Sequence, residues 1–227
     1  GHPLCSRMKE KVETEKPISI EKKVTTICLM PGSRSGEITR LLDPLLDSAV
    51  KIKKEFDSQK KDVQFILPNI NKSQEEYILE KLKLAKEEWN LRVEYFFDNT
   101  AKCLEACDLV ILSSGTATLE VTYFEKPMII IYKMSFISFQ IGLRLVTTKD
   151  VGLVNILAGK RICQEFLQNE ANGENIFKEA MRILNDDEYR FEMIGQIKDV
   201  KMSLGDGNAG KKASGAILKL IQSSRLP

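Results

Sequence analysis

The chain has one histidine, His2, at the second of its 227 positions. A Ser-His-Asp nucleophile machine and a histidine-rich zinc site both need imidazole close to other reactive groups, so neither is expected. Cysteine is sparse as well: there are five, an odd number, and none is in C-x-x-C spacing. They read as the reduced thiols of a cytosolic protein. Cys103 and Cys107 stand one helical turn apart, but with no histidine nearby they read as core packing rather than a metal pair. An excess of one charge is also missing. The 34 basic and 32 acidic residues leave a net +2, which argues against a dedicated nucleic-acid binder. A bilayer span needs about 20 uninterrupted apolar residues. The most apolar window, 128–146, is broken by Lys133, Gln140 and Arg144 and divides into a strand and a helix. The polar, charged start shows no signal-peptide pattern, and no internal repeat or low-complexity tract is visible.

What is present reads as a soluble globular domain with a full core: 43% hydrophobic and 29% charged residues. Residues 1–24, rich in Lys and Glu with Pro3 and Pro17, read as a linker or lead-in. Strands and helices then alternate. Strands are expected at 25–30, 63–67, 93–97, 109–112 and 128–131, and helices at 71–88, 101–107, 116–124 and 135–146. Asp43-Pro44 reads as an N-cap with proline at the first helical position, opening a helix whose apolar face runs toward Phe56. The part from 172 to 227 reads as two or three helices. Strands separated by helices imply an α/β, Rossmann-like, doubly wound parallel sheet of about five or six strands over residues 25–171, with a helical C-terminal tail. Such sheets bind ligands beyond the carboxyl ends of their strands, where strand order reverses.

Two small-residue loops stand at strand ends: PGSRSGE at 31–37 and SSGTATLE at 113–120. A strand, a tight loop and a helix start present backbone N–H groups and a partial positive charge, which favours phosphate. Two such loops in one domain suggest a cleft for a diphosphate. Gly205–Lys211 spells G-x-x-x-x-G-K, but Lys212 replaces the required Ser or Thr and helix precedes the segment, so an ATP-binding P-loop is rejected.

These segments, together with GHPL at 1–4, YKMS at 132–135, GLVNILAG at 152–159, EFLQ at 165–168 and LGDG at 204–207, follow one another in the order of one family. The chain resembles lipid-A-disaccharide synthase from His2 to Ile221. One departure is Val154, where that family usually has proline before NILAG. The resemblance implies the C-terminal, donor-nucleotide half of a GT-B glycosyltransferase, an inverting enzyme that moves 2,3-diacylglucosamine from UDP-2,3-diacylglucosamine to 2,3-diacylglucosamine 1-phosphate. It implies no cofactor and no catalytic metal, a general base on an N-terminal half, and cytoplasmic placement with peripheral contact at the inner face of the bacterial inner membrane as an option. The partners implied are the UDP-sugar, a lipid acceptor and the N-terminal half. A non-catalytic UDP-sugar-binding module and one subunit of a split enzyme remain the alternatives.

On this reading Gly32, Ser33 and Arg34 bind diphosphate, with the Arg34 fork on a phosphate oxygen; otherwise Arg34 is an exposed loop arginine. Glu37 either caps the following helix by reaching back to Ser33 or Arg34, or meets substrate. Ser114, Gly115 and Thr116 bind the diphosphate or form an ordinary turn. Glu120, one turn past Thr116, accepts both ribose hydroxyls or is a solvated helix residue. Asn155, Glu165 and Gln168 bind the donor sugar or the diphosphate; otherwise Asn155 caps the loop and Glu165 and Gln168 stand on a surface helix. Lys133 and Ser135 face the cleft, and Phe97 and Asp98 frame the uracil. The apolar cluster from Phe136 to Leu145 reads as a core helix lining the cleft before it reads as a membrane contact.

Overall fold

The structure is a computed structural model that describes residues 2–134, 150–205, 214, 215 and 217. Ser135, the helix expected over 135–146 with its apolar cluster, and most of the G-x-x-x-x-G-K segment lie outside the described residues.

The strands are β1 (Thr25–Met30), β2 (Val63–Asn69), β3 (Val93–Phe97), β4 (Leu109–Ser113), β5 (Met128–Tyr132) and β6 (Glu165–Leu167). They form one sheet in the order β3-β2-β1-β4-β5-β6, and every pairing is parallel. The four inner residues of β1 and all five of β4 are buried. Such continuous apolar runs mark strands covered on both faces. The helices are α1 (Pro3–Thr14), α2 (Ser35–Ser58), α3 (Glu75–Trp89), α4 (Thr100–Ala106), α5 (Ala117–Tyr123), α6 (Leu153–Ala158), α7 (Gly173–Asn185) and α8 (Asp187–Leu204). On the C-terminal side, α7 packs against α2, while α8 packs against α5, α6 and α7.

Three expectations need correction. The helix expected to start at Asp43-Pro44 starts at Ser35, with Pro44 inside it. An internal proline removes one ladder bond and costs about 3 kcal/mol. Ahead of it, Ile38, Leu41 and Leu42 are fully buried, and each contributes about 1.5–3 kcal/mol, so burial outweighs the break. Second, the lead-in over 1–24 contains α1. Pro3 occupies its first turn, His2 Nδ1 accepts from Leu4 N at 3.2 Å, and Leu4 and Met8 pack against Leu119. Third, Glu165 lies on β6, a three-residue edge strand paired with β5, and not on a surface helix.

Candidate functional site

β1 and β4 are neighbours, and the strand order reverses between them. A cavity of about 360 Å³ opens at their carboxyl ends. Both glycine loops line it: Gly32, Ser33, Arg34 and Glu37 from the first, and Ser113 to Ala117 with Glu120 from the second. Met30, Pro68, Ile70, Val151 and Leu153 give it apolar walls. A roomier open groove of about 920 Å³ passes Thr25, Asp108 and Lys126 at the amino ends of the strands and contains neither loop.

The first loop is shaped around Glu37. Its Oε2 accepts from Ser33 N at 3.2 Å and Arg34 N at 3.3 Å, and its Oε1 accepts from Arg34 Nη1 at 2.8 Å. Glu37 thus caps α2, the structural role weighed for it. The Ser33 and Arg34 N–H groups already have a carboxylate partner, so a phosphate here would meet the guanidinium first. The Arg34 side chain is 83% exposed and keeps donors for such a contact. Gly32 is needed because its φ is +117° and a Cβ there would lie 2.7 Å from Glu37 Cβ.

The second loop starts α5. Ser114 N donates to Ile131 O at 3.0 Å, tying the loop to β5. Thr118 N and Leu119 N return to Gly115 O and Thr116 O, so the N–H groups just ahead belong to the open first turn. Gly115 sits at φ +149° with nothing within 4 Å of a built Cβ; its backbone is open to an approaching ligand. Glu120 is half-buried, lines the cavity and forms an ion pair with Arg7 of α1.

A buried polar hub stands behind this loop. Glu165 is 1% exposed and accepts three N–H bonds: Val151 N at 2.8 Å, Gly152 N at 2.9 Å and Asn155 Nδ2 at 2.7 Å. Asn155, fully buried, also donates to Cys163 O and accepts from Ile162 N and Cys163 N. The hub reaches the cavity through Val151, whose carbonyl accepts from Ser114 Oγ at 2.7 Å. Neither Asn155 nor Glu165 lines the cavity; both hold the segment that does. Val154 is a buried residue in the first turn of α6, and Asn155 N bonds back to Gly152 O at 3.0 Å.

Gln168 and Lys133 are half-buried and lie outside the cavity lining; Gln168 Oε1 accepts from Met134 N at 3.4 Å. Phe97 and Asp98 are outside it as well. Lys72 Nζ stands 4.9 Å over the Phe97 ring, and Asp98 N donates to Asn69 O. Burial pushes the Cys28 and Cys103 thiols up, so they stay protonated in the core beside the buried Cys107. Among the described residues no cluster of three His, Cys, Asp or Glu is placed to hold a metal. Sequence reasoning missed Arg7. Its spacing from Leu4 and Met8 on one helical face was readable, but its partner, 113 residues away, was not.

The family model described as Lipid-A-disaccharide synthetase matches residues 1–217. The chain belongs to that family. A lipid-A-disaccharide synthase of Syntrophus aciditrophicus is 35% identical over 227 residues, 99% of this chain and 57% of the relative. The chain therefore spans a little over half the length of the curated relatives it matches. Among solved structures, WaaG, a glycosyltransferase involved in lipopolysaccharide biosynthesis, superposes with a TM-score of 0.60 at 12% identity, covering 94% of this chain and 50% of that one. S. aureus MnaA, solved with UDP, gives 0.59 at 16% identity, covering 96% and 52%. The fold of the chain is thus Rossmann-like and of the GT-B type.

Proposed function

We propose that this chain is the C-terminal, donor-nucleotide half of a lipid-A-disaccharide synthase, and that the cavity between its two glycine loops holds UDP-2,3-diacylglucosamine. One observation carries the reading: both loops and Glu120 converge on a single cavity where the strand order reverses. Arg34 and the open first turn of α5 neutralise the diphosphate as it leaves, so the departing UDP needs no metal. Glu120 accepts the ribose hydroxyls. The hydroxyl of 2,3-diacylglucosamine 1-phosphate attacks the donor's anomeric carbon on the face opposite UDP. The new C–O bond forms as the bond to UDP breaks, and the hydroxyl proton passes to a base on the N-terminal half. A lipid acceptor calls for peripheral contact of a cytoplasmic catalyst with the membrane; no helix among the described residues is long and apolar enough to cross one.

Glu120→Ala tests the assignment. At this solvent-open wall each of the two hydroxyl bonds nets about 0.5–1.5 kcal/mol, so the substitution weakens UDP about ten- to a hundredfold. The variant also ceases to distinguish UDP from 2′,3′-dideoxy-UDP. If it keeps the wild-type preference for the ribose hydroxyls, Glu120 does not bind ribose.

A further inference from the structure

Glu120 lines the cavity, but the group that grips it stands outside. Arg7 Nη2 donates to Glu120 Oε1, while Arg7 itself is not part of the cavity lining. We propose that Arg7 is a positioning residue that holds the Glu120 carboxylate in place for the nucleotide's ribose, so that the segment entering the domain, α1, sets the donor site. This inference rests on the ribose role proposed above.

Three features support it. First, α1 is seated by apolar contacts on the same face that carries Arg7. Leu4, Arg7 and Met8 stand at i, i+3 and i+4. Leu4 and Met8 are buried with Leu119, the residue beside Glu120, and pack on Tyr123, Phe124 and Leu153. Second, both ends of the segment are tied down. His2 N donates to Leu204 O, the Glu15 carboxylate accepts from Lys102 N at 3.0 Å, and Lys16 O accepts from Asn99 Nδ2 at 3.0 Å. A base fixed at both ends and along one face keeps the Arg7 backbone within reach of Glu120, and the ion pair orders the guanidinium. Third, the ion pair engages Oε1. A carboxylate has two oxygens with about four lone-pair sites, so Oε2 keeps its capacity to accept hydroxyls. The Glu120 side chain is 15% exposed and that of Arg7 56%. The guanidinium is therefore wet on one side, and its effect is that of a partly screened pair. An unrestrained glutamate orders its side chain only when ligand arrives, which weakens binding; a pinned one is ordered beforehand.

The test is a titration of UDP and of 2′,3′-dideoxy-UDP against the wild-type chain, Arg7→Ala, Arg7→Lys, Glu120→Ala and the Arg7→Ala/Glu120→Ala double variant, with thermal melts as a fold control. The expected result is about two- to fivefold weaker UDP in Arg7→Ala with dideoxy-UDP unchanged. Arg7→Lys recovers part of the loss, and Arg7→Ala adds nothing once Glu120 is gone. A purely structural role for Arg7 would move both ligands together, and this outcome overturns the inference. So does tighter UDP in Arg7→Ala, which would make Arg7 a competitor for the carboxylate. If Glu120→Ala flattens the preference for ribose hydroxyls and Arg7→Ala does not, only this inference fails. If Glu120→Ala leaves that preference intact, or the wild type binds no UDP, the ribose reading fails and takes the inference with it.

Discussion

Glu165→Gln is a nearly isosteric change that separates an acceptor-only carboxylate from an ordinary buried amide. Three N–H donors converge on the two oxygens: Val151 N on Oε2, and Gly152 N with Asn155 Nδ2 on Oε1. A glutamine brings one oxygen and one NH₂. Its best orientation keeps the oxygen on Gly152 and Asn155 and turns the NH₂ against the Val151 N–H. One charge-assisted bond is lost, worth about 1.5–3 kcal/mol, and two donors then face each other. For a chain of this size each kcal/mol moves the melting temperature by about 2–4 °C, so a fall of about 3–12 °C is expected. The same change should weaken UDP, because Val151 O is the acceptor that fixes Ser114 Oγ at the cavity wall. Calorimetry in parallel with UDP titration reads both effects. Unchanged melting would refute the acceptor-hub reasoning; lower melting with unchanged UDP affinity would refute the link from hub to cavity.

Gly32→Ala forces a side chain onto φ +117° and against Glu37 Cβ; chemical denaturation should show a loss of about 2–4 kcal/mol, and no loss would mean that the first loop can relax away from Glu37. Glu125 has its carboxyl held below the ordinary 4.5 chiefly by the hydrogen bond from Lys201. Because the folded value is the lower one, its contribution is present above 4.5 and disappears as pH falls through the folded value. Glu125→Gln should thus lower stability at neutral pH by at most about 1 kcal/mol, as the pair is partly exposed, with the gap to wild type closing in acid. A gap that widens in acid would reverse the assigned sign.

The strands could be read from the chain because parallel, doubly covered strands are apolar without interruption. β1, with its four inner residues buried, falls on the expected residues; β3, a half-buried edge strand that contains Glu94, falls on them too because its valine and aromatic residues favour strand, and the two glycine loops mark the ends of β1 and β4. Signals that depend on a distant partner were not readable. Pro44 looks like a helix start in sequence. Only the fit of Ile38, Leu41 and Leu42 into the core shows why the helix starts earlier. β6 is three residues long, too short for any period to show, and exists as a strand because β5 offers it an edge. In α1, Lys and Glu outnumber the two residues that bury it, so its charge obscures its packing. The NILAG–EFLQ stretch singles out Asn155 and Glu165 as donor-sugar or supporting residues, and in the structure they meet each other in a buried hub outside the cavity lining. Whether such residues meet a ligand or one another is decided by the approach of two segments, which spacing does not encode.

The central claim is that the cavity between the two glycine loops binds a uridine diphosphate group without a metal. Calorimetric titration of UDP into the wild-type chain, with and without EDTA, tests it most directly. Several charge-assisted bonds of about 1.5–3 kcal/mol each, offset by the cost of association, predict a Kd of about 10 µM to 1 mM, the same in both buffers. Absence of heat and of any thermal shift at millimolar UDP would contradict the account, and binding abolished by EDTA would show that a metal ion, not Arg34 and the backbone N–H groups, carries the diphosphate charge.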